Sequence, residues 1–436
     1  MSIFGLLPRQ QFALVQLADY FLDRMLEAGV KRILYVHHGG TVGGAPLSLL
    51  FLLQQLDRSL YEPVVLFLAD GPVVERFRTA GVMVHIAPEI TDFSHTELVW
   101  YGAGLLWQLP GKILRFWPSV LRAAAWLRRV QPDLVHLNSS TLAAFAIAAR
   151  RATLPVVWHI REPLAHGYFG LRRAWLRRVL RQCATRVVAI SQFDAAQLGD
   201  GVTATVIHNF VDFAVFSRGI DPLAARAHLQ LSSAQHVVLM LGGCSLTKGT
   251  LPFVRAYASL RRRVPNAVLI IAGAKPEVGA ADWLSAILKR ITGADRYARH
   301  VMAAAAAGIA QRGIRFVGVR SDVPQLLAAS DVVVFPSIVP HFARPLIEAA
   351  AMAKPVVASD LGGPRELVVP GSTGLLVPPN DPDALANAIV EVLQDPQAAA
   401  RMGTAGFERA LQLFDAQKNA ARTFGLYAEI FGSGPA

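Results

Sequence analysis

The sequence predicts an α/β protein in which two doubly wound, Rossmann-like domains face each other across a cleft. Short segments rich in Val, Ile and Leu are almost continuously apolar, which is typical of parallel strands buried on both faces. Helical stretches separate most of these segments, which favours a parallel sheet. Thirteen such segments are too many for one twisted open sheet, and 436 residues are too many for one ordinary domain.

The predicted strands divide into seven in the first half of the chain and six in the second. They are RILYVHH, PVVLFLA, VMVHIA, DLVHLN, PVVWHI, RVVAIS and ATVIHN, followed by HVVLMLG, NAVLIIAG, IRFVGV, DVVVFPS, KPVVASD and TGLLVPP. Predicted helices between them include Pro46–Leu56, Ser119–Val130, Leu171–Cys183, Leu251–Arg262 and Asp383–Leu393. The alternation stops after Asn209, so we predict a first domain over 1–216, a second over 217–405 and a final helix over 406–436.

Composition excludes several classes of protein. Hydrophobic residues make up 53% of the chain and charged residues 17%, which excludes a disordered protein. No apolar run reaches the ~18–20 residues of a membrane span, and the first residues lack the features of a secretory signal. The only two cysteines, Cys183 and Cys244, cannot form a disulfide framework and lack metal-ligand spacing. We therefore expect a cytoplasmic protein without a bound metal or cofactor.

The positive charge is concentrated in one segment. The chain has a formal net charge of +12, and the segment between Leu98 and Arg186 contains fourteen Lys or Arg residues but only two acids. This concentration favours an anionic partner over an ordinary solvated face. No nucleic-acid-binding module accompanies it, so nucleic acid is not expected as the partner.

Two glycine-rich loops follow predicted strands, one in each half of the chain. The first is HHGGTVGGAP, which contains Gly43 and Gly44 just before a helix start. The second is LGGCSLTKG, which contains Gly242, Gly243 and Lys248. Glycines allow a ligand to approach the backbone closely, and amides at a helix start favour phosphate. The alternatives are a simple tight turn in the first loop and an ordinary surface lysine in the second.

Two further segments carry candidate polar residues. The strand VVWHIREP places His159, Arg161 and Glu162 at the predicted cleft edge, where a histidine can bond a hydroxyl or carry a proton, unless it is structural. In the stretch from Pro336 to Val368, Glu348 and Glu366 fall in the first turns of helices. Carboxylates there either stabilise the helix or accept paired sugar hydroxyls. The pair Asp381 and Asp383 is typical of helix capping, not of metal binding.

Together these segments resemble the retaining glycosyltransferases of family four, which have the two-domain GT-B fold. The matching segments are GGAPLSLL, DLVHLN, VVWHIREP, VIHNFVD, LGGCSLTKG, LLAASDVVVFPS, RPLIEAAAMAKPVVASDLGGPREL and STGLLVPPNDPDALA. The resemblance implies a second domain that binds a nucleotide-sugar donor, a first domain that faces the acceptor, and a final helix that crosses back to the first domain. It also implies sugar transfer with retained anomeric configuration and without a metal.

The resemblance also implies roles for single residues. Gly43 and Gly44 would lie against the donor phosphates, with Gly242 and Gly243 in the equivalent loop of the second domain. His159 would contact the transferred sugar and Lys248 the diphosphate, as the two catalytic residues. Glu348 would hold the ribose hydroxyls, and Glu366 would support the nucleotide.

Two positions depart from the pattern of the family. The family usually has an arginine, also a diphosphate ligand, where this chain has Gly243. It usually has a glutamate eight residues before Glu348, where this chain has Pro340 with His341 beside it. We include His341 among the expected donor ligands. These departures concern the donor sugar and the activity, not the fold.

The sequence is also compatible with two other functions, and its basic segment allows two interpretations. An epimerase of sugar nucleotides or a non-catalytic sugar-nucleotide-binding protein would share the architecture. The basic segment mixes Trp107, Phe116, Trp117, Trp126 and Trp175 with many arginines. This mixture predicts peripheral binding to an anionic membrane on its cytoplasmic face and a saccharide or lipid-linked acceptor, since many family members extend lipid-linked saccharides. The alternative is that the tryptophans are core residues and only the arginines are exposed.

Overall fold

The computed structural model describes residues 29–91, 109–164, 166–276 and 295–432 and contains two fully parallel sheets. The predicted fold class is confirmed, because all thirteen predicted segments form strands, seven in the first sheet and six in the second.

The first sheet has the strand order β3-β2-β1-β4-β5-β6-β7. Its strands are β1 (Lys31–His37), β2 (Tyr61–Phe67), β3 (Met83–Ile86), β4 (Leu134–Leu137), β5 (Val156–Ile160), β6 (Arg186–Ala189) and β7 (Ala204–Val206). Its helices are α1 (Gly44–Gln54), α2 (Pro72–Thr79), α3 (Leu109–Val130), α4 (Ala143–Arg151), α5 (Leu171–Cys183) and α6 (Gln192–Ala196), with a 3-10 turn at Tyr168–Gly170. Apolar clusters cover both faces of this sheet, as the continuous apolarity of its strands predicts.

The second sheet has the strand order β10-β9-β8-β11-β12-β13. Its strands are β8 (His236–Leu241), β9 (Ala267–Ala272), β10 (Ile314–Gly318), β11 (Val332–Phe335), β12 (Val356–Ser359) and β13 (Gly374–Val377). Its helices are α7 (Pro222–His228), α8 (Thr250–Arg263), α9 (Arg296–Ala310), α10 (Val323–Ala329), α11 (Arg344–Ala351), α12 (Gly362–Leu367), α13 (Pro382–Gln394) and α14 (Pro396–Leu413). The predicted cap at α13 is confirmed, since Asp381 accepts the backbone N–H groups of Asp383 and Ala384.

The strand orders place one topological switch point in each sheet. The order reverses between β1 and β4 in the first sheet and between β8 and β11 in the second. In open α/β sheets, ligands bind beyond the carboxyl ends of the strands at such points. Both predicted glycine loops follow strands that flank a switch point, β1 and β8.

The crossing back to the first domain occurs later than predicted. Helix α14, at residues 396–413, packs against α11 of the second domain, and a final helix α15 (Ala416–Phe431) then packs on the first sheet through Ala420, Leu426 and Tyr427. The predicted single helix from 406 is therefore wrong, because Asp415 interrupts it and caps α15 by accepting the N–H of Lys418. The predicted division at 216/217 falls in the connection between β7 and α7.

Helix α3 is longer than the predicted Ser119–Val130. It begins at Leu109 and continues through Pro118. Within the described ranges, no helix has both the length and the apolar character of a membrane span.

Candidate functional site

A cavity of about 840 Å³ opens between the carboxyl ends of the two sheets. The loops after β1 and β5 line it from the first domain, and the loops after β8 and β11 line it from the second. Four cations reach it, and Glu162 is the only carboxylate among the described residues that does so. The cations are Arg161, Arg173, Lys248 and Arg344. The cavity is therefore suited to an anionic ligand.

The β1 loop meets the cavity where α1 begins. Gly43 is the N-terminal cap residue of α1 and Gly44 its first residue, and both line the cavity. Pro46 has no N–H and Leu47 donates to the carbonyl of Gly43 at 3.2 Å, which leaves Gly44 and Ala45 without a backbone partner within the helix. Their N–H groups and the positive end of the helix dipole favour an anion. The structure thus brings both glycines to the cavity; their contact with donor phosphates stays a prediction.

The segment after β5 differs from the prediction in one residue. Arg161 and Glu162 line the cavity, but His159 lies inside β5, is 2% exposed and does not line it. Its ring instead packs 5.4 Å from the ring of His136, within the layer that α15 covers. The placement of His159 at the cleft edge is therefore wrong. Burial, followed by the charge of Arg161, holds the pKa of His159 well below its usual range.

Arg161 is fixed by two neutral amide side chains. Its Nε donates to Asn138 Oδ1 at 2.8 Å, and its Nη1 donates to Asn209 Oδ1 at 2.6 Å. Asn138 also donates to the carbonyl of Ala45 in the first turn of α1, at 3.3 Å. Burial, followed by the charge of Arg344, lowers the pKa of Arg161 to about 9. The guanidinium is thus held rigidly at the cavity wall.

Glu162 is held by the chain after β4. Its Oε1 accepts the hydroxyl groups of Ser139 and Ser140, at 2.6 and 2.7 Å, and the backbone N–H of Ser140 at 2.7 Å. These bonds stabilise a carboxylate that is 8% exposed. Ser139 and Ser140 of the first domain therefore orient this carboxylate.

The β8 loop brings Lys248 to the cavity, whereas Gly242 and Gly243 of the same loop do not line the cavity. Both glycine N–H groups donate to the carbonyl of Ala272 at 2.9 Å, which closes the turn. Gly243 has φ +68°, and a Cβ there would lie 2.3 Å from the backbone nitrogen of Ala274. This position can accept no side chain without displacement of the backbone. Gly242 and Gly243 thus shape the loop and do not line the cavity.

Lys248 and His341 form a pair at the cavity wall. Lys248 Nζ lies 2.5 Å from His341 Nε2, and His341 Nδ1 lies 3.0 Å from the carbonyl oxygen of Val339. Burial, followed by the charge of Lys248, lowers the pKa of His341 to about 3, so the imidazole is neutral. A neutral ring that donates from Nδ1 to Val339 accepts at Nε2 from the ammonium group. His341 therefore orients Lys248.

Glu348 does not reach the cavity directly. It is 9% exposed, and its Oε1 accepts Arg344 Nε at 2.7 Å. Arg344 lines the cavity and also donates from Nη1 to Ser48 Oγ of α1, at 2.8 Å, which joins the two domains. Burial raises the pKa of Glu348, and the charge of Arg344 opposes that rise. Sequence reasoning missed Arg344, although its position four residues before Glu348 on one helix signals a pair.

Glu366 contacts the first domain and lies outside the cavity lining. Its two carboxylate oxygens accept the backbone N–H of Gln192 at 2.9 and 2.8 Å, at the start of α6. His208 Nε2 lies 3.5 Å from the same carboxylate. The structure thus gives Glu366 a contact between the domains, and its predicted support of a nucleotide stays a prediction.

The tryptophans of the basic segment divide between core and surface. Trp126 and Trp175 pack partly buried against the core of the first domain, whereas Trp117 is exposed. Trp107 lies outside the described residues. Four exposed apolar side chains share one face of α3 within residues 113–121, and two more lie next to α5 or at its start. They are Ile113, Leu114, Trp117, Leu121, Phe169 and Leu171. The alternative in which the tryptophans are all core residues is therefore wrong for Trp117, and binding to a membrane stays a prediction.

Comparisons with known proteins cover both domains. The model described as Glycosyltransferase Family 4 matches residues 42–215, and the model described as Glycosyl transferases group 1 matches residues 224–409. The glycogen synthase of Mycobacterium tuberculosis (strain CDC 1551 / Oshkosh) is 30% identical over 325 residues, which cover 71% of this chain and 73% of that protein. This chain belongs to the GT-B glycosyltransferases.

One further protein resembles this glycosyltransferase in sequence, and a solved structure resembles it in fold. An Escherichia coli protein named UDP-Gal:alpha-D-GlcNAc-diphosphoundecaprenol alpha-1,3-galactosyltransferase is 27% identical over 64% of this chain and 70% of that protein. The crystal structure of Anabaena Alr3699/HepE in complex with UDP-glucose superimposes with a TM-score of 0.71 at 25% identity, over 91% of this chain and 99% of that one. In the described part of this glycosyltransferase, no three His, Cys, Asp or Glu side chains are grouped as a metal site would require.

Proposed function

We propose that this glycosyltransferase transfers a sugar from a nucleotide-sugar donor to a saccharide or lipid-linked acceptor, with retention of anomeric configuration. We propose cell-surface polysaccharide or glycolipid synthesis as its role. The observation that carries the proposal is the cavity between the domains, in which four cations face one carboxylate. Glu348 neutralises one of these cations from outside the lining. The remaining excess of two positive charges matches the two negative charges of a nucleotide-sugar diphosphate.

The proposed mechanism relies on charge stabilisation. As the bond from the sugar to the diphosphate breaks, negative charge develops on the leaving phosphate. Lys248, oriented by His341, and the open N–H groups at the start of α1 supply donors in the right region. These groups supply positive charge without a metal. In a retaining transfer, the acceptor hydroxyl attacks from the face that the phosphate leaves, and that phosphate accepts its proton.

Uridine nucleotides are the first donors to test. The named Escherichia coli relative uses UDP-Gal, and the Anabaena protein was crystallised with UDP and with UDP-glucose. The same Escherichia coli name specifies a diphosphoundecaprenol-linked acceptor, whereas the mycobacterial relative is named for glycogen. A lipid-linked GlcNAc diphosphate and a glucan are therefore suitable acceptors for a first assay.

Product analysis tests the proposed reaction. We expect UDP release from UDP-glucose or UDP-galactose to depend on an acceptor, to continue in the presence of EDTA, and to yield an α-linked product by NMR. Interconversion of the donor without acceptor would instead identify an epimerase. Donor binding without release of UDP across these acceptors would favour the non-catalytic protein. A β-linked product would contradict retention.

We propose further that the basic face holds the enzyme on the cytoplasmic surface of an anionic membrane. The arginines of α3, including Arg115, Arg122 and Arg128, are exposed on the helix whose first half carries exposed apolar residues. Leu114 is 76% exposed and Phe169 is 93% exposed. Apolar side chains flanked by arginines suit the boundary between headgroups and acyl chains, where each cation contributes ~1 kcal/mol.

Sedimentation with vesicles of anionic and neutral lipid tests this surface. We expect binding to anionic vesicles at low salt that weakens at ~0.5 M salt, where the charges are screened. The variant Leu114→Ser/Trp117→Ser should bind several-fold less, because it removes apolar contact area. The control Leu223→Ser removes a leucine of similar exposure from α7 of the second domain and should bind like the parent. Equal binding of the parent to neutral and anionic vesicles, or none, would contradict the proposal.

A further inference from the structure

Arg161 is a buried cation whose direct hydrogen-bond partners are all neutral. It is 7% exposed, and both of its bonded acceptors are amide oxygens, of Asn138 and Asn209. Its third nitrogen, Nη2, is closed to solvent and has no hydrogen-bond partner among the described residues. A guanidinium stays charged in proteins, and a buried charge is costly unless it is paired. Arg161 therefore keeps an unused donor and a charge that no hydrogen-bonded anion balances among the described residues.

A second guanidinium approaches the same place from the other domain. Arg344 lines the same cavity and lies near enough for its charge to oppose that of Arg161. The carboxylate of Glu162 attracts Arg161, but its Oε1 is already bound by Ser139 and Ser140. Arg344 is anchored by Glu348 and by Ser48 of α1. Two rigid guanidinium groups thus face one cavity, one from each domain.

The β8 loop cannot supply a comparable group. Gly243 has a left-handed backbone and no room for a Cβ, so this turn contributes Lys248 as its only side-chain cation to the cavity. A lysine is a point charge, whereas a phosphate group presents oxygens that arginine binds through two parallel N–H donors. Of the three arginines that line the cavity, Arg161 and Arg344 are buried and fixed by hydrogen bonds, whereas Arg173 is only partly buried. The planar donors held in place to bind phosphate are therefore those of Arg161 and Arg344.

We propose that Arg161 and Arg344 form a phosphate-binding subsite that spans the two domains. This proposal rests on the proposed function in one respect, because we expect the bound phosphate to belong to the nucleotide donor. The bound phosphate could instead belong to the acceptor, since a phosphate carried by the acceptor has the same chemistry. Phosphate at this subsite neutralises the repulsion between the two guanidinium groups and so favours the arrangement in which Arg344 bonds Ser48 of the first domain.

Isothermal titration calorimetry of the Arg161→Gln variant with UDP and with uridine tests whether the phosphate at this subsite is that of the donor. The parent should bind UDP, and the variant should bind it roughly 10- to 100-fold more weakly, as expected for loss of a charge-assisted bond. Uridine affinity should not change, because uridine carries no phosphate. The matched control is Arg262→Gln, an exposed position of α8 outside the cavity. It should bind both ligands like the parent.

Titration of pyrophosphate into the UDP-saturated enzyme tests the acceptor as the source. Binding by the parent that Arg161→Gln abolishes, with unchanged UDP affinity, would place an acceptor phosphate at the subsite. Unchanged binding of both UDP and pyrophosphate in Arg161→Gln would overturn the subsite. If the parent binds no UDP, the proposed uridine donor fails, and pyrophosphate binding to the free enzyme still tests Arg161.

A second variant covers the case in which Arg161→Gln does not fold. Arg161→Lys keeps the charge and can still donate to one of the two asparagines, but it loses the planar pair of donors. We expect an intermediate loss of UDP or pyrophosphate affinity with a melting temperature near that of the parent. Parent-like affinity for both ligands in a folded Arg161→Lys protein would also overturn the subsite.

Discussion

Replacement of Lys248 by alanine is expected to reduce sugar transfer about 10- to 200-fold while leaving the fold intact. A charge-assisted hydrogen bond contributes ~1.5–3 kcal/mol, and the full amount reaches the rate if the bond strengthens as the phosphate leaves. The fold should survive because Lys248 is only partly buried and its partner His341 is already neutral. The variant therefore leaves no charge stranded at this pair. Initial rates at saturating donor, with circular dichroism of the folded state, measure both effects.

The control for Lys248 is a lysine outside the cavity. Lys418 is exposed on α15, where its Nζ donates to the carbonyl of Leu411, and it does not line the cavity. Lys418→Ala should keep the parent rate. A rate for Lys248→Ala within twofold of the parent would remove Lys248 from the proposed diphosphate site, whatever the result at Lys418.

Replacement of Glu348 by glutamine is expected to destabilise the protein as well as weaken donor binding. Removal of one partner from a buried ion pair costs ~3–5 kcal/mol, and the glutamine oxygen can still accept one bond, so we expect about 2–3 kcal/mol. In a protein of this size, such a loss lowers the melting temperature by roughly 5 °C. The donor KM should rise as well, because Arg344, which lines the cavity, loses the group that orients it.

A double-variant cycle separates the pair from the single residue. Arg344→Gln combined with Glu348→Gln should be more stable than the sum of the two single changes predicts, because the double variant leaves neither charge unpaired. Glu391→Gln, an exposed position on α13, is the control and should melt like the parent. Strictly additive losses, together with an unchanged donor KM, would show that Glu348 acts neither through Arg344 nor on the donor.

The fold could be predicted from the sequence because it depends on local patterns. Strands buried on both faces must be continuously apolar, and VVLF and VVVF carry that pattern in the sequence itself. Connections in parallel sheets require helices, so the alternation of strands and helices also determined the domain class. The loops after β1 and β8 could be located for the same reason, since they follow recognisable strands and contain glycines. Gly43, Gly44 and Lys248 were therefore found at the cavity.

The exact end of a strand could not be predicted from the sequence. In β5 that end decides that His159 is buried within the sheet and that Arg161 lines the cavity. Sequence patterns locate such boundaries only to within a few residues. In the structure β5 extends to Ile160, so His159 stays in the layer covered by α15, and Arg161 is the first residue beyond the sheet. The cover comes from a helix more than 250 residues away in the chain. No local pattern around His159 contains that information.

Partnerships between the domains were decided only by the tertiary structure. In sequence, Glu348 and Glu366 both look like carboxylates in the first turn of a helix. Folding places Glu348 against Arg344, which reaches Ser48 of the first domain, and places Glu366 on the backbone of Gln192. The sequence by itself determined which charged residues follow the strands and begin the helices. The packing of one domain on the other decided which of those charges are paired and which face the cavity, because both burial and pairing depend on groups distant in the chain.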